Sequence, residues 1–137
     1  MDKRFAVATA AVLMIPTGCA SGPELLAKHL VHVSIDGKDA GGHLVECTQV
    51  GWLWNLETLE QTPGLIAQVR TGDPVVARSV QINNLGGFTG SYWDKTTGEA
   101  EASLVDGKFT ITGTAVGFFH DDPGERTKAP FEISTDC

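Results

Sequence analysis

Positive charge is scarce in this chain. Ten Lys and Arg face 17 Asp and Glu across 137 residues, a formal net charge of -7, and no segment gathers the bases into a patch. A nucleic-acid binder needs such a patch to displace phosphate counterions, so nucleic acid is excluded as a partner. Cysteine is scarce as well: there are three, with no Cys-x-x-Cys. Zinc asks for three or four ligands at recognisable intervals, and no such spacing occurs, so no metal site is expected. A Gly-x-Ser-x-Gly elbow, a phosphate loop and a dinucleotide fingerprint are all missing. Ser34, Ser79, Ser91, Ser103 and Ser134 lie in strand-like contexts. Without a nucleophile, base and orienter to assemble, the chain reads as a non-enzyme, with no catalytic residues and no cofactor.

Long apolar runs are also lacking, with one exception. Phe5 to Ile15 is almost wholly apolar and follows Asp2, Lys3 and Arg4. As a helix it would extend about 16 Å, well short of a hydrocarbon core of about 30 Å. A basic start, a short apolar middle and small residues behind it describe an export signal; a buried N-terminal helix is the alternative. No later stretch approaches membrane-spanning length. The signal ends in Pro16-Thr17-Gly18-Cys19-Ala20-Ser21, where Gly before Cys resembles a bacterial lipobox. There the Cys19 thiol would receive a diacylglycerol, and Cys19 would become the new N-terminus. Pro16 stands where Leu is usual, and cleavage after Ala20 by ordinary signal peptidase is the competing reading. The expected division is a lipoprotein signal peptide at 1–18, a lipidated N-terminus and short tether at 19–28, and a β domain at 29–137. Losing the leader removes one acid and two bases, so the mature chain is slightly more acidic still.

What is present fits one packed domain: 42% of residues are apolar and 20% charged, enough for a core and too little charge for disorder. With Cys19 given to lipid, Cys47 and Cys137 remain in a disulfide-permissive compartment, and two leftover thiols are most simply a pair. A metal site or a redox pair is the alternative. Val31, Val33 and Ile35 alternate with polar residues, as do Phe109, Ile111 and Ala115, and Phe131, Ile133 and Thr135 keep the parity of Cys137. Val45 and Cys47 share a face in the same way. Both sulfurs therefore fall on apolar faces, as a bridge between sheets requires.

Further strands are expected at Trp52–Leu59, Leu65–Thr71, Val75–Asn83, Phe88–Trp93 and Glu99–Val105, separated by turn-forming pairs such as Asp36-Gly37, Gly86-Gly87 and Asp106-Gly107. Asp122-Pro123-Gly124 reads as another breaker. Leu53–Glu60 could also be drawn as a helix, and Leu25, Leu26, Lys28 and Leu30 as a single helical turn. Strands at such intervals indicate an all-β fold, an antiparallel β-sandwich or barrel of about seven to nine strands with one disulfide.

Polar clusters are unpromising. His29 and His32 fall on opposite faces of a strand, His43 stands alone beside two glycines, and His120-Asp121-Asp122 reads as a solvated turn. Glu99 and Glu101 alternate with Ala100 and Ala102 in the manner of an outward face. The candidate ligand contacts are aromatic: Trp52, Trp54, Tyr92, Trp93, Phe118 and Phe119. Trp52 and Trp54 share strand parity, whereas Tyr92 with Trp93, and Phe118 with Phe119, must split between faces. An outward ring near a loop could stack on a sugar or meet acyl chains; aromatic core packing is the plainer role.

With these parts in place the sequence resembles the mycobacterial nineteen-kilodalton lipoprotein antigen family, of the LpqH and LppE type. The likeness is carried by Val33-Ser-Ile-Asp-Gly-Lys-Asp39, the Cys47 strand, Ser79-Val-Gln-Ile-Asn-Asn-Leu-Gly-Gly-Phe-Thr-Gly-Ser-Tyr-Trp93, Phe109-Thr-Ile-Thr-Gly-Thr-Ala-Val-Gly117 and Phe131-Glu-Ile-Ser-Thr-Asp-Cys137, in that order. The resemblance implies an acylated (palmitate-bearing) lipoprotein, held on the extracytoplasmic side of the cell membrane and envelope by an N-terminal diacylglycerol on Cys19. It implies the Cys47–Cys137 disulfide, an acylated end sensed by a host receptor, Toll-like receptor 2, and a part in adhesion. The long Ser/Thr-rich stretch that carries O-glycans in the antigen is missing here, so glycosylation is not carried over. The expected function is a lipid-anchored, antigen-like envelope protein whose non-catalytic β domain serves surface interaction or binding. The alternative is a carrier for an envelope lipid or glycan, which would need an apolar cavity between the sheets.

Overall fold

The computed structural model describes residues 29–137. The leader, Cys19 and the helical turn drawn over Leu25, Leu26 and Lys28 lie outside the described residues. Nine strands account for nearly all of the domain: β1 His29–Ile35, β2 Lys38–Val50, β3 Leu53–Thr58, β4 Gly64–Arg70, β5 Val76–Leu85, β6 Phe88–Trp93, β7 Glu99–Val105, β8 Lys108–Phe119 and β9 Asp122–Asp136. All pair antiparallel in one sheet, in the order β6-β5-β4-β3-β2-β1-β9-β8-β7. Because β6 also pairs β8, through Phe88–Ser91 against Val116–Phe119, the sheet curls back on itself like a ring. β6 and β7 lie end to end along β8, which pairs with β7 over its first half and β6 over its last few residues.

Local chemistry sets these strands. Asp36-Gly37 and Asp106-Gly107 both hold positive φ, at 55° and 76° and at 51° and 77°, the combination that a two-residue hairpin turn of matching twist demands. Leu53–Thr58 is a strand, not the alternative helix, since Leu56 and Thr58 are buried while Glu57 between them is exposed. Period-2 burial also marks β1, β4 and the second half of β9. The Asp122-Pro123-Gly124 breaker corrects to the first residues of β9. The register slips between Gly117 and Phe119, the turn contracts to His120-Asp121, and Pro123 lies in the part of β9 that has no partner on its β1 side, where a missing N–H costs no ladder bond.

Twenty buried apolar residues fill the space inside the ring, among them Val31, Val45, Leu56, Ala67, Val80, Phe88, Ile111 and Ile133. Two glycines allow the closing seam. Gly90 of β6 faces Gly117 of β8, and a Cβ on Gly117 would collide with the Thr89 carbonyl and Gly90 Cα. The fully buried Phe88 ring lies where a Gly90 side chain would stand.

Cys47 and Cys137 form a disulfide with Cα atoms 6.0 Å apart. β1 separates β2 from β9 in the sheet, but β1 starts at His29 opposite Val45. Cys47 lies two residues beyond that start, so the bridge joins β2 to β9 just past the point where the first strand enters between them. Both half-cystines pack against the core.

Candidate functional site

The outward residues of β3 to β6 line up across the sheet. Glu57 is registered with Ile66, Ile66 with Gln81, and Gln81 with Ser91. Above this row lies a groove of about 590 Å³, floored by those four side chains and flanked by Gln61, Asn83, Thr89 and Trp93. Its wall at one end is braced: Asn83 Nδ2 donates to the Gln61 carbonyl at 3.0 Å and to Thr62 Oγ1 at 2.8 Å. Thr58 Oγ1 also donates to the Glu60 carbonyl, at 2.6 Å, and accepts from Leu65 N at 2.9 Å, which fixes the β3–β4 loop. Thr89 Oγ1 accepts from Asn84 N at 3.0 Å and lies 2.8 Å from His120 Nε2. Ser91 and Trp93 also line a neighbouring hollow of about 430 Å³ that runs over Val116, Phe118 and Arg126. Ser91 and Trp93 are the two residues common to both concavities.

The aromatic candidates part company. Trp93, 44% exposed, borders both the groove and its neighbouring hollow, and Phe118 borders the hollow alone. Tyr92 turns inward, as the split between neighbours requires; its hydroxyl donates to the Ala77 carbonyl at 2.9 Å. Burial first, then the Asp94 carboxylate beside it, raises the Tyr92 hydroxyl above its ordinary pKa of 10.0. Asp94 in turn pairs with Arg78 at 3.2 Å. Trp54 belongs to the interior, its ring 5.4 Å from that of Phe109. Phe119 packs at a tilt against Phe88, with ring centroids 5.1 Å apart, and Phe118 likewise against His120 at 5.3 Å. Trp52 and Trp54 do not share a strand face: Trp52 sits in the turn before β3 and is 70% exposed.

Sequence alone does not bring Glu57, Gln81, Asn83, Thr89 and Ser91 together, because their meeting depends on register across four strands. One signal was there: Ile66 is an apolar residue at the outward parity of β4, between buried Leu65 and Ala67. His29, His32 and His43 stay apart; His43 Nε2 is 2.9 Å from the Ala40 carbonyl. Glu99 and Glu101 are exposed on β7. Among the described residues no three His, Cys, Asp or Glu converge as a metal would need.

Comparison with known proteins now bears on the identity. The family model described as Mycobacterium 19 kDa lipoprotein antigen matches residues 26–137. A protein of Mycobacterium avium subsp. hominissuis named as a lipoprotein is 39% identical over 134 residues, covering 97% of this chain and 92% of its own length. Lipoprotein LpqH of Mycobacterium avium is 32% identical over 155 residues, covering 98% and 96%. LppE of Mycobacterium tuberculosis is 24% identical over 140 residues, spanning the whole of both chains. With that match over the entire β domain, the chain belongs to the Mycobacterium 19 kDa lipoprotein antigen family, lipoproteins of the mycobacterial envelope.

Proposed function

We propose that residues 1–18 are removed on export, that Cys19 carries the lipid on the extracytoplasmic side, and that the β domain is a non-catalytic binding module. The observation that carries the binding reading is the contrast between inside and outside. The space within the ring is occupied by side chains at 0–4% exposure, leaving a lipid chain nowhere to go, while the outer face of β3–β6 holds a braced groove. A carrier that encloses its cargo therefore gives way to a module that binds on its surface.

The groove's chemistry favours one occupant among those considered. Planar amides (Gln61, Gln81, Asn83), hydroxyls (Thr89, Ser91) and one carboxylate (Glu57) surround an exposed indole. These are the groups that donate to and accept from ring hydroxyls while an aromatic face covers the sugar's C–H surface. With no cation among its lining side chains, the groove suits an uncharged envelope glycan better than an anionic one.

Two measurements test the reading. Intact mass of the protein purified from its own envelope is expected to show acyl chains on Cys19; an unmodified chain starting at Ser21 overturns the anchor. Neutral oligosaccharides titrated against the protein are expected to quench tryptophan emission saturably, and Trp93→Ala to abolish the response. Saturable binding that survives both Trp93→Ala and Gln81→Ala removes the groove from the account.

A further inference from the structure

Among the described residues eight large apolar side chains are exposed. Leu30, Leu44, Leu59 and Trp93 lie along the strands and the β3–β4 loop at 44–48%, and the three most exposed of all lie at turns. Val50 (81% exposed), Trp52 and Leu53 form the tip of the β2–β3 hairpin, and Val105 (63% exposed) precedes the β7–β8 turn. Register puts these at one end of the sheet. His29, where β1 begins, pairs Val45, and β2 continues five residues further to Val50, roughly 17 Å at the rise of a strand. Lys108, just after the β7–β8 turn, pairs Asp136, and Cys137 N donates to the Gly107 carbonyl at 3.2 Å. The apolar tip, the disulfide and the start of β1 thus share an end, and the tether enters there.

From this placement we infer that the Val50–Leu53 hairpin tip is a membrane-seating element that inserts Trp52 into the interfacial layer of the bilayer in which Cys19 is anchored. The inference rests on acylation of Cys19. Between Cys19 and His29 the chain has ten Cα–Cα steps, at most about 35 Å fully extended. That is enough to let the tip touch the surface and short enough to keep it near. Scattered exposed apolar residues need no explanation, but a contiguous group does. Indole favours the headgroup level, with an apolar body and a polar N–H. The tip is also held in shape. The Trp52 carbonyl accepts from Thr71 N at 2.7 Å and from Thr71 Oγ1 at 3.1 Å, and Gln49 Nε2 donates to the Gly51 carbonyl at 3.0 Å. Those bonds all end on main-chain carbonyls of the tip, so they fix its backbone. The charges at this end are mixed, with Arg70 and Lys108 exposed alongside Asp73, Asp106 and Asp136, so seating depends on apolar insertion and not on anionic lipid.

The experiment uses a protein beginning at Cys19, with its Cys47–Cys137 bridge intact and the Cys19 thiol coupled to a maleimide lipid. It is reconstituted on phosphatidylcholine vesicles. Chemical coupling separates the tip's behaviour from native acylation, which intact mass tests by itself. Trp54→Phe with Trp93→Phe leaves Trp52 as the only indole of three. Its emission is expected to shift to the blue on vesicles and to be quenched severalfold more by lipid with brominated acyl chains than by aqueous iodide, with little change on adding salt. The companion with Trp52→Phe and Trp54→Phe, which reports Trp93, is expected to stay water-like, and Val50→Ser with Leu53→Ser to weaken the Trp52 response. Water-like, iodide-quenched Trp52 emission on vesicle-bound protein overturns the inference. So does a blue shift that needs no vesicles and grows with protein concentration, which would make the tip a contact between two copies.

Discussion

Replacing Cys47 and Cys137 together by Ala tests how the ring is held. The bridge links residues 90 apart, and the chain-entropy relation for a loop of that length gives roughly 4.6 kcal/mol of stabilisation at 25 °C. Removal of two half-buried sulfurs from the edge of the core adds a smaller loss, on the order of 1 kcal/mol. Against a domain total of roughly 5–15 kcal/mol, the double variant gives up a third or more of its stability. Equilibrium urea unfolding followed by tryptophan emission is the assay, with Trp54, packed on Phe109, reporting the interior. The midpoint is expected to fall sharply, and the slope m to rise, because an uncrosslinked denatured chain exposes more surface. A loss below about 1 kcal/mol with unchanged m would refute the reasoning. The denatured chain would then already be as restricted without the bridge as with it.

Two further outcomes follow from the packing. Gly117→Ala drives a Cβ into the Thr89 carbonyl across the β6–β8 seam and is expected to cost about 1–3 kcal/mol, measured by the same urea titration; a variant as stable as the parent would mean the seam is loose. The single tyrosine sets an alkaline limit. Its folded pKa is raised above 10.0, so the folded state holds its proton more tightly than the unfolded one. That contribution is whole below about pH 10 and is lost as pH climbs through the folded value. Tyrosinate absorbance should therefore rise later in folded than in urea-unfolded protein, and Tyr92→Phe should lose that part of the alkaline decline; coincident titrations would contradict it.

Much of the fold was legible because strand parity is a local property. Val31, Val33 and Ile35, Phe109 and Ile111, and Phe131 and Ile133 face inward as their alternation implies. Tyr92 and Trp93 split as neighbours on a strand must. The parity of Trp52 misled for an equally local reason: Gly51, with φ of 59°, starts a turn, and parity does not carry through a turn. Pro123 misled because a breaker within a strand is tolerated where one side has no partner. Of the groove, only Trp93 and the outward apolar Ile66 were legible. Glu57, Ile66, Gln81 and Ser91 are 34 residues apart from first to last, and only the pairing of four strands puts them in a row. The end-to-end placement of β6 and β7 along β8 is likewise a matter of tertiary pairing.

The position of the disulfide also has a mechanical consequence. If the tether is anchored, any drag on the domain pulls on β1 at His29, along the strand. β1 is hydrogen-bonded on both sides, to β2 and to β9, so the load shears two ladders at once instead of opening one bond at a time. The bridge clamps those two neighbours together at the point where the force enters, so they cannot spread to release the strand between them. Pulling the oxidised protein from its N-terminus should therefore meet a high rupture force at β1, and the reduced protein should yield at a lower one.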